Sequence, residues 1–127
     1  MKLLNKLGIF DVRQEEPITT VEQAREIKLA ELKIARDKAE LQPINNFDVD
    51  EKSIMRINNA ITVINATKQP IEWTLADNTI RMVNAEDLQN VILALAQQSN
   101  DVHEKYRVLK ERVNACESIA DVRAIEW

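Results

Sequence analysis

A chain of 127 residues supports one domain, or one small domain with an arm. A 45 % hydrophobic and 30 % charged composition is not that of a disordered chain, and one glycine with three prolines favours long regular elements over loops. The single glycine excludes a phosphate-cradling loop and a dinucleotide fingerprint, the net charge of −4 favours neither nucleic acid nor anionic lipid, and one cysteine excludes an internal disulfide and a Cys-rich zinc site.

Residues 1–19 read as an N-terminal arm or docking peptide. "MKLLNKLGIF" carries leucines and lysines but lacks the apolar core and small-residue cleavage site of a signal peptide. No apolar run reaches the roughly 18 residues of a membrane span. No membrane location is therefore expected.

Residues 20–43 read as a lead-in helix. Thr19 or Thr20 can cap it, with Glu22 or Gln23 closing a capping box, and Pro43 stops it. Val21, Ala24, Ile27, Ala30, Ile34 and Leu41 form an interrupted apolar stripe, which Leu29 and Leu32 widen. Five acids and five bases fill the rest between Thr20 and Gln42, the pattern of an exposed, two-sided helix.

Residues 44–127 read as a helix, a hairpin and a long helix ending in a short helix. "INNFDVD" is a linker in which Phe47 and Val49 alternate with acids. Asp50 can cap a helix to about Ala66 whose buried face is Ile54, Ile57, Ile61 and Ile64. "IEWTLADNTIRMV" then switches to strand periodicity. With Asp77-Asn78 as the turn, Trp73, Leu75, Ile80 and Met82 are expected on one apolar face.

Asn84 with Asp87 starts the long helix. Leu88, Ile92, Leu95, Ser99, Val102, Tyr106, Leu109, Val113 and Cys116 follow at spacings of three and four. The polar "QQSND" in the middle is a place for a kink or break. A helix of that length spans about 48 Å, so its stripe must fold against the other helices or pair between chains. Ser118 with Asp121 opens the last helix, and Ile125 and Trp127 form an apolar terminal anchor.

The fold class is therefore mainly α with one small β-hairpin, a long seamed helix packed against or paired with others. No catalytic, metal or cofactor set emerges. His103 stands without a second histidine, and its acidic neighbours point elsewhere on the helix. Asp48, Asp50 and Glu51 lack the glycine and length of a calcium loop. Cys116 lies thirteen residues from His103, roughly 20 Å along a helix, and reads as a buried small hydrophobe. Glu86 and Asp87 read as helix-start acids. The structural or interface candidates are Trp73, Leu75, Asp77, Asn78, Ile80, Met82, Leu88, Ile92, Leu95, Val102, Tyr106, Leu109, Val113, Ile125 and Trp127.

Ser53, Arg56 and Ile57, then Trp73, Asp77-Asn78, Ala85 and Leu88, then His103 and Tyr106, form a distributed pattern. Ala115, Ser118, Val122, Ala124, Ile125 and Trp127 complete it, with Asp121 where the pattern has glutamate. Over roughly residues 20–127 the chain resembles a phage and prophage domain family of unknown function, found at the C-terminal ends of tail-fibre and tail-fibre-assembly proteins. It departs from that family where "INNFDVD" replaces an aromatic- and glycine-containing hairpin. The resemblance implies a non-enzymatic tail component or fibre assembly factor that works through protein contacts, as a homo-oligomer or on a tail protein. The contrasting expectation is a small cytoplasmic adaptor or regulator with one protein partner. No cofactor, nucleic acid or membrane is implied.

Overall fold

The computed structural model describes residue 18 and residues 20–127. The arm expected over 1–19 therefore lies almost wholly outside the described residues. The order is α1 (Val21–Glu40), α2 (Glu51–Thr67), β1 (Ile71–Thr74), β2 (Ile80–Val83), α3 (Ala85–Ala115) and α4 (Ile119–Arg123). The class is mainly helical with one antiparallel hairpin. The chain divides into two compact units, one of residues up to Leu32 with Val108–Trp127, the other Lys33–Arg107.

In the first unit, α1 begins at a reciprocal capping box. The Thr20 amide donates to Gln23 Oε1 and the Gln23 amide to Thr20 Oγ1, both at 3.1 Å. The buried side chains are Ala24 and Leu32 of α1, Leu109 and Val113 of α3, and Val122 and Ile125. Arg25 donates to the Cys116 carbonyl and Lys28 to that of Arg123, so two cations of α1 meet carbonyls of the C-terminal segment. Ser118 caps the short α4 by accepting from the Asp121 amide at 3.1 Å. Cys116 is half-buried, with its thiol donating to the Arg112 carbonyl at 3.1 Å, rather than sealed in the core as its place in the stripe suggests.

In the second unit the core gathers Ile44, Phe47, Val49, Ile57, Ala60, Ile64, Leu75, Val83, Leu88 and Val91. The linker contributes as much as a helix does. Ile44 and Phe47 exchange both backbone hydrogen bonds, 3.0 and 2.8 Å, across Asn45 and Asn46, which both have positive φ (49° and 69°). That is a two-residue hairpin turn of the I′ kind, which requires left-handed residues at both centres and which asparagine tolerates. It buries Phe47 and Val49. Asn46 then accepts from the hairpin loop twice, from the Ala76 amide at 2.7 Å on its carbonyl and from the Asp77 amide at 3.2 Å on its side chain.

The hairpin corrects the expected register. Ile71 pairs with Val83, Glu72 with Met82, Trp73 with Arg81 and Thr74 with Ile80. The turn is not the two-residue Asp77-Asn78. Leu75 donates to Thr79 at 2.8 Å, and a turn over Ala76 and Asp77 is followed by Asn78 in the left-handed region at φ 69°. Three loop residues instead of two shift the pairing by one, and a one-residue shift sends every side chain of the strand to the other face. Val83, not Met82, joins Leu75 in the core, while Ile80 and Met82 are exposed at 65 % and 53 %. Arg81 shares the Trp73 side, lies 5.9 Å over the Phe47 ring and pairs with Asp87 at 3.2 Å.

β2 hands over to α3 at a second reciprocal box. Asn84 N–H donates to Asp87 Oδ2 at 2.9 Å and Asp87 N–H to Asn84 Oδ1 at 2.8 Å. α3 then runs to Ala115, the long helix expected, and does not break at Gln97–Asp101, where the sequence left room for a kink or break. Asp50 occupies the N-cap position of α2, but its side chain makes no capping hydrogen bond there. Ile34 and Leu41, assigned to the α1 stripe, are exposed.

Lys68 ends α2 in the left-handed conformation, φ 60°, with its N–H on the Ile64 carbonyl at 2.7 Å. A Cβ in that region is unfavourable, so Lys68→Gly is expected to stabilise by about 0.5–1 kcal/mol after the entropy of the more flexible unfolded chain is subtracted. A urea midpoint that falls in K68G contradicts this. Asp77 gives a pH dependence. The Thr79 hydroxyl and amide, then the Asn46 side chain, hold its carboxyl below the ordinary 3.8. A depressed folded value means stability present above the unfolded value and lost as pH falls through the folded one. Asp77→Asn is expected to flatten the decline in stability below pH about 4, read as thermal midpoints across an acid series.

Candidate functional site

The second unit carries a solvent-open groove of about 670 Å³. Four segments build it. The end of α1 supplies Asp37, Glu40 and Leu41, the linker Val49, α2 Glu51, Ile54 and Asn58, and α3 Ile92, Leu95, Ala96 and Ser99. Helical spacing explains each set: 37, 40 and 41, 51, 54 and 58, and 92, 95, 96 and 99 each fall on one side of their helix. The apolar residues Leu41, Val49, Ile54, Ile92 and Leu95 lie beside three carboxylates, and no lysine or arginine is among the lining residues.

The polar middle of α3 fixes one wall. Gln98 Nε2 donates to the Ala39 carbonyl at 3.2 Å and the Gln42 carbonyl at 3.5 Å. These carbonyls belong to the end of α1, where a helix runs out of internal donors. The Ser99 hydroxyl donates to Glu40 Oε2 at 3.1 Å, and His103 Nε2 lies 3.1 Å from the same oxygen. "QQSND" is thus a clasp for the α1 terminus, which is why the helix continues through it. His103 is accordingly a partner of Glu40 on a half-exposed surface. Beside it, Arg36 stacks 4.8 Å over the Tyr106 ring and pairs with Asp37 at 3.0 Å. Arg36 thereby neutralises part of the rim but does not enter the groove lining.

Of the residues singled out from sequence, the structure brings Ile92 and Leu95 into the groove. Leu75, Leu88 and Tyr106 are buried in the second unit, and Leu109, Val113 and Ile125 in the first. Val102 and Trp127 are half-buried, and Asp77 and Asn78 are exposed at the hairpin tip. Trp73 is half-buried beside a small recess shared with Arg56, Glu72 and Thr74. Sequence reasoning missed Leu41, Val49 and Ile54 as groove residues, and the carboxylates around them. The available signal was Leu41, an apolar residue at the far end of the interrupted α1 stripe, two residues before the helix-stopping Pro43. Among the described residues no group of His, Cys, Asp or Glu is placed to hold a metal, and no helix is long and apolar enough to cross a membrane.

The groove lining combines apolar side chains with the carboxylates of Asp37, Glu40 and Glu51. The chain belongs to the family described as domain of unknown function DUF4376, whose model matches residues 23–126. That family occurs in phage and prophage tail-fibre and tail-fibre-assembly proteins, a non-enzymatic setting of protein contacts. No curated protein and no solved structure matches the chain.

The clasp can be tested alone. Gln98→Leu removes the donor that the Ala39 and Gln42 carbonyls share and is expected to cost about 1 kcal/mol. Amide exchange of Leu41 and Gln42 should quicken with it. Unchanged exchange there, at unchanged stability, would remove Gln98 from the account.

Proposed function

We propose that this protein is a tail-fibre component or fibre assembly factor that engages a tail protein through the groove of the Lys33–Arg107 unit, and that it also self-associates. The observation that carries the reading is the exposure of Leu41, 57 % accessible while lining the same groove as Ile54, Ile92 and Leu95. Single exposed apolar residues are ordinary, but one that extends an apolar recess enlarges a contact surface. The α3 seam supplies only Ile92 and Leu95 to that surface, because Leu88, Tyr106, Leu109 and Val113 are already buried within the chain. The arm over 1–19, the lead-in helix over 20–43 and the domain over 44–127 fit this reading as peptide, support and receptor. Action in the host cytoplasm during assembly, with or without retention in the particle, follows from the same role.

Co-migration with a tail-fibre protein of the same phage or prophage tests the reading. Leu41→Asp leaves the buried core intact, so helicity by circular dichroism is expected to hold while affinity for the tail protein falls about tenfold or more. Wild-type chain that binds a host protein and no tail protein favours an adaptor instead and contradicts the proposal.

A further inference from the structure

β1 has an open edge, and its two ends fix how long that edge is. The Leu75 amide donates to the Thr79 carbonyl across the hairpin, whereas the Ala76 amide donates to the Asn46 carbonyl on the other side. Backbone groups alternate along a strand, so Ile71 and Trp73 bond towards β2, while Glu72 and Thr74 present their N–H and C=O groups away from it. Among the described residues no hydrogen bond reaches those outward groups, and both residues are exposed. The open stretch stops at Pro70, which has no amide, and at Ala76, whose amide Asn46 holds. Beside it Arg56 of α2, donating to the Ser53 hydroxyl at 3.4 Å, shares with Glu72, Trp73 and Thr74 a recess of about 230 Å³.

An unpaired edge of this kind is completed by one more strand. The length of the opening and the side chains along it select a second β1. In an antiparallel pair about a two-fold axis at Trp73, Glu72 of each copy faces Thr74 of the other and exchanges both backbone hydrogen bonds with it. Pro70 of one copy then falls opposite Ala76 of the other, so neither end leaves a donor unpaired. The two Trp73 side chains meet at the close, non-hydrogen-bonded site, with Cα atoms about 4.5 Å apart, beside the Arg56 recess. The β2 edge offers no such match, because the same two-fold pairing there sets Arg81 against Arg81. A longer strand from another protein would find no free donor at either Pro70 or Ala76.

We infer that two copies of this chain join through the β1 edges at Glu72 and Thr74 into a four-stranded antiparallel sheet. This deepens the proposed self-association and rests on it. None of the groove's lining residues takes part, so the groove stays free for a tail protein.

Light scattering of the full chain over a concentration series tests the inference. So small a contact is expected to give a weak dimer, its mass rising with concentration towards twice the monomer value and no further. Glu72→Pro removes an outward amide but no bond to β2, and is expected to abolish dimerisation at unchanged circular dichroism and unchanged affinity for a tail protein. Thr74→Glu sets two carboxylates opposite each other on both sides of the axis and is expected to weaken the dimer about tenfold. Adding Glu72→Lys turns both pairs into opposite charges and is expected to return the dimer to within about threefold of wild type or tighter. Wild type that stays monomeric up to about 1 mM overturns the inference. Association that Glu72→Pro and Thr74→Glu leave unchanged overturns it as well, and a Thr74→Glu loss that Glu72→Lys does not repair overturns the two-fold register. Failure of dimerisation with tail-protein binding intact overturns this inference alone and leaves the groove reading standing.

Discussion

The constraint on which the second unit depends is the coverage of one side of α3. Leu88 and Val91 are fully out of water, and the side chains that share their cluster come from everywhere else in that unit: Ile57, Ala60 and Ile64 of α2, Phe47 and Val49 of the linker, Leu75 and Val83 of the hairpin. With few aromatics in the chain, this core is assembled from aliphatic residues around a single buried phenylalanine. Such a core has little area to spare, and each short element must therefore deliver its one or two apolar side chains in register. The hairpin could not stand alone as two strands of four residues. Its place on the helices and the double hydrogen bond from its loop to Asn46 are what keep it.

Asparagine does in this protein what glycine does in most. Asn45, Asn46 and Asn78 take left-handed backbone, and Lys68 does so at the end of α2. An asparagine costs less there than other residues with a Cβ, and its side chain remains available for a further bond. Asn46 uses that capacity, accepting from Asp77 on its side chain while its backbone turns the chain. Each tight turn is thus also a tertiary contact, a useful economy in a chain with so few loops.

The helices and their starts were legible because their signals are local. Thr20 with Gln23, Asn84 with Asp87 and Ser118 with Asp121 are read from spacing alone, and all three make the expected bonds. The hairpin was legible as a hairpin but not in register. Whether Ile80 and Met82 point in or out depends on whether two or three residues turn the chain, and Ala76-Asp77-Asn78 carries no glycine to mark the left-handed position. The polar stretch around Ser99 was left open for a different reason. Polar residues in a helix signal a break only when nothing across from them needs a donor, and the carbonyls that Gln98 serves are 56 and 59 residues away in sequence. The groove had the same character, since its lining comes from four segments that no periodicity links. The family resemblance was carried by the architectural residues themselves, Trp73, Asn78 and Leu88 among them, and so located the fold more closely than any site.

The most direct measurement of the central claim is amide and methyl chemical-shift mapping of the full chain as a tail-fibre protein is added. The account predicts shifts concentrated at Leu41, Val49, Ile54, Ile92 and Leu95, with Ile80 and Met82 of the outer hairpin face unmoved. Shifts centred on the hairpin or on the C-terminal segment, with the groove silent, would contradict it.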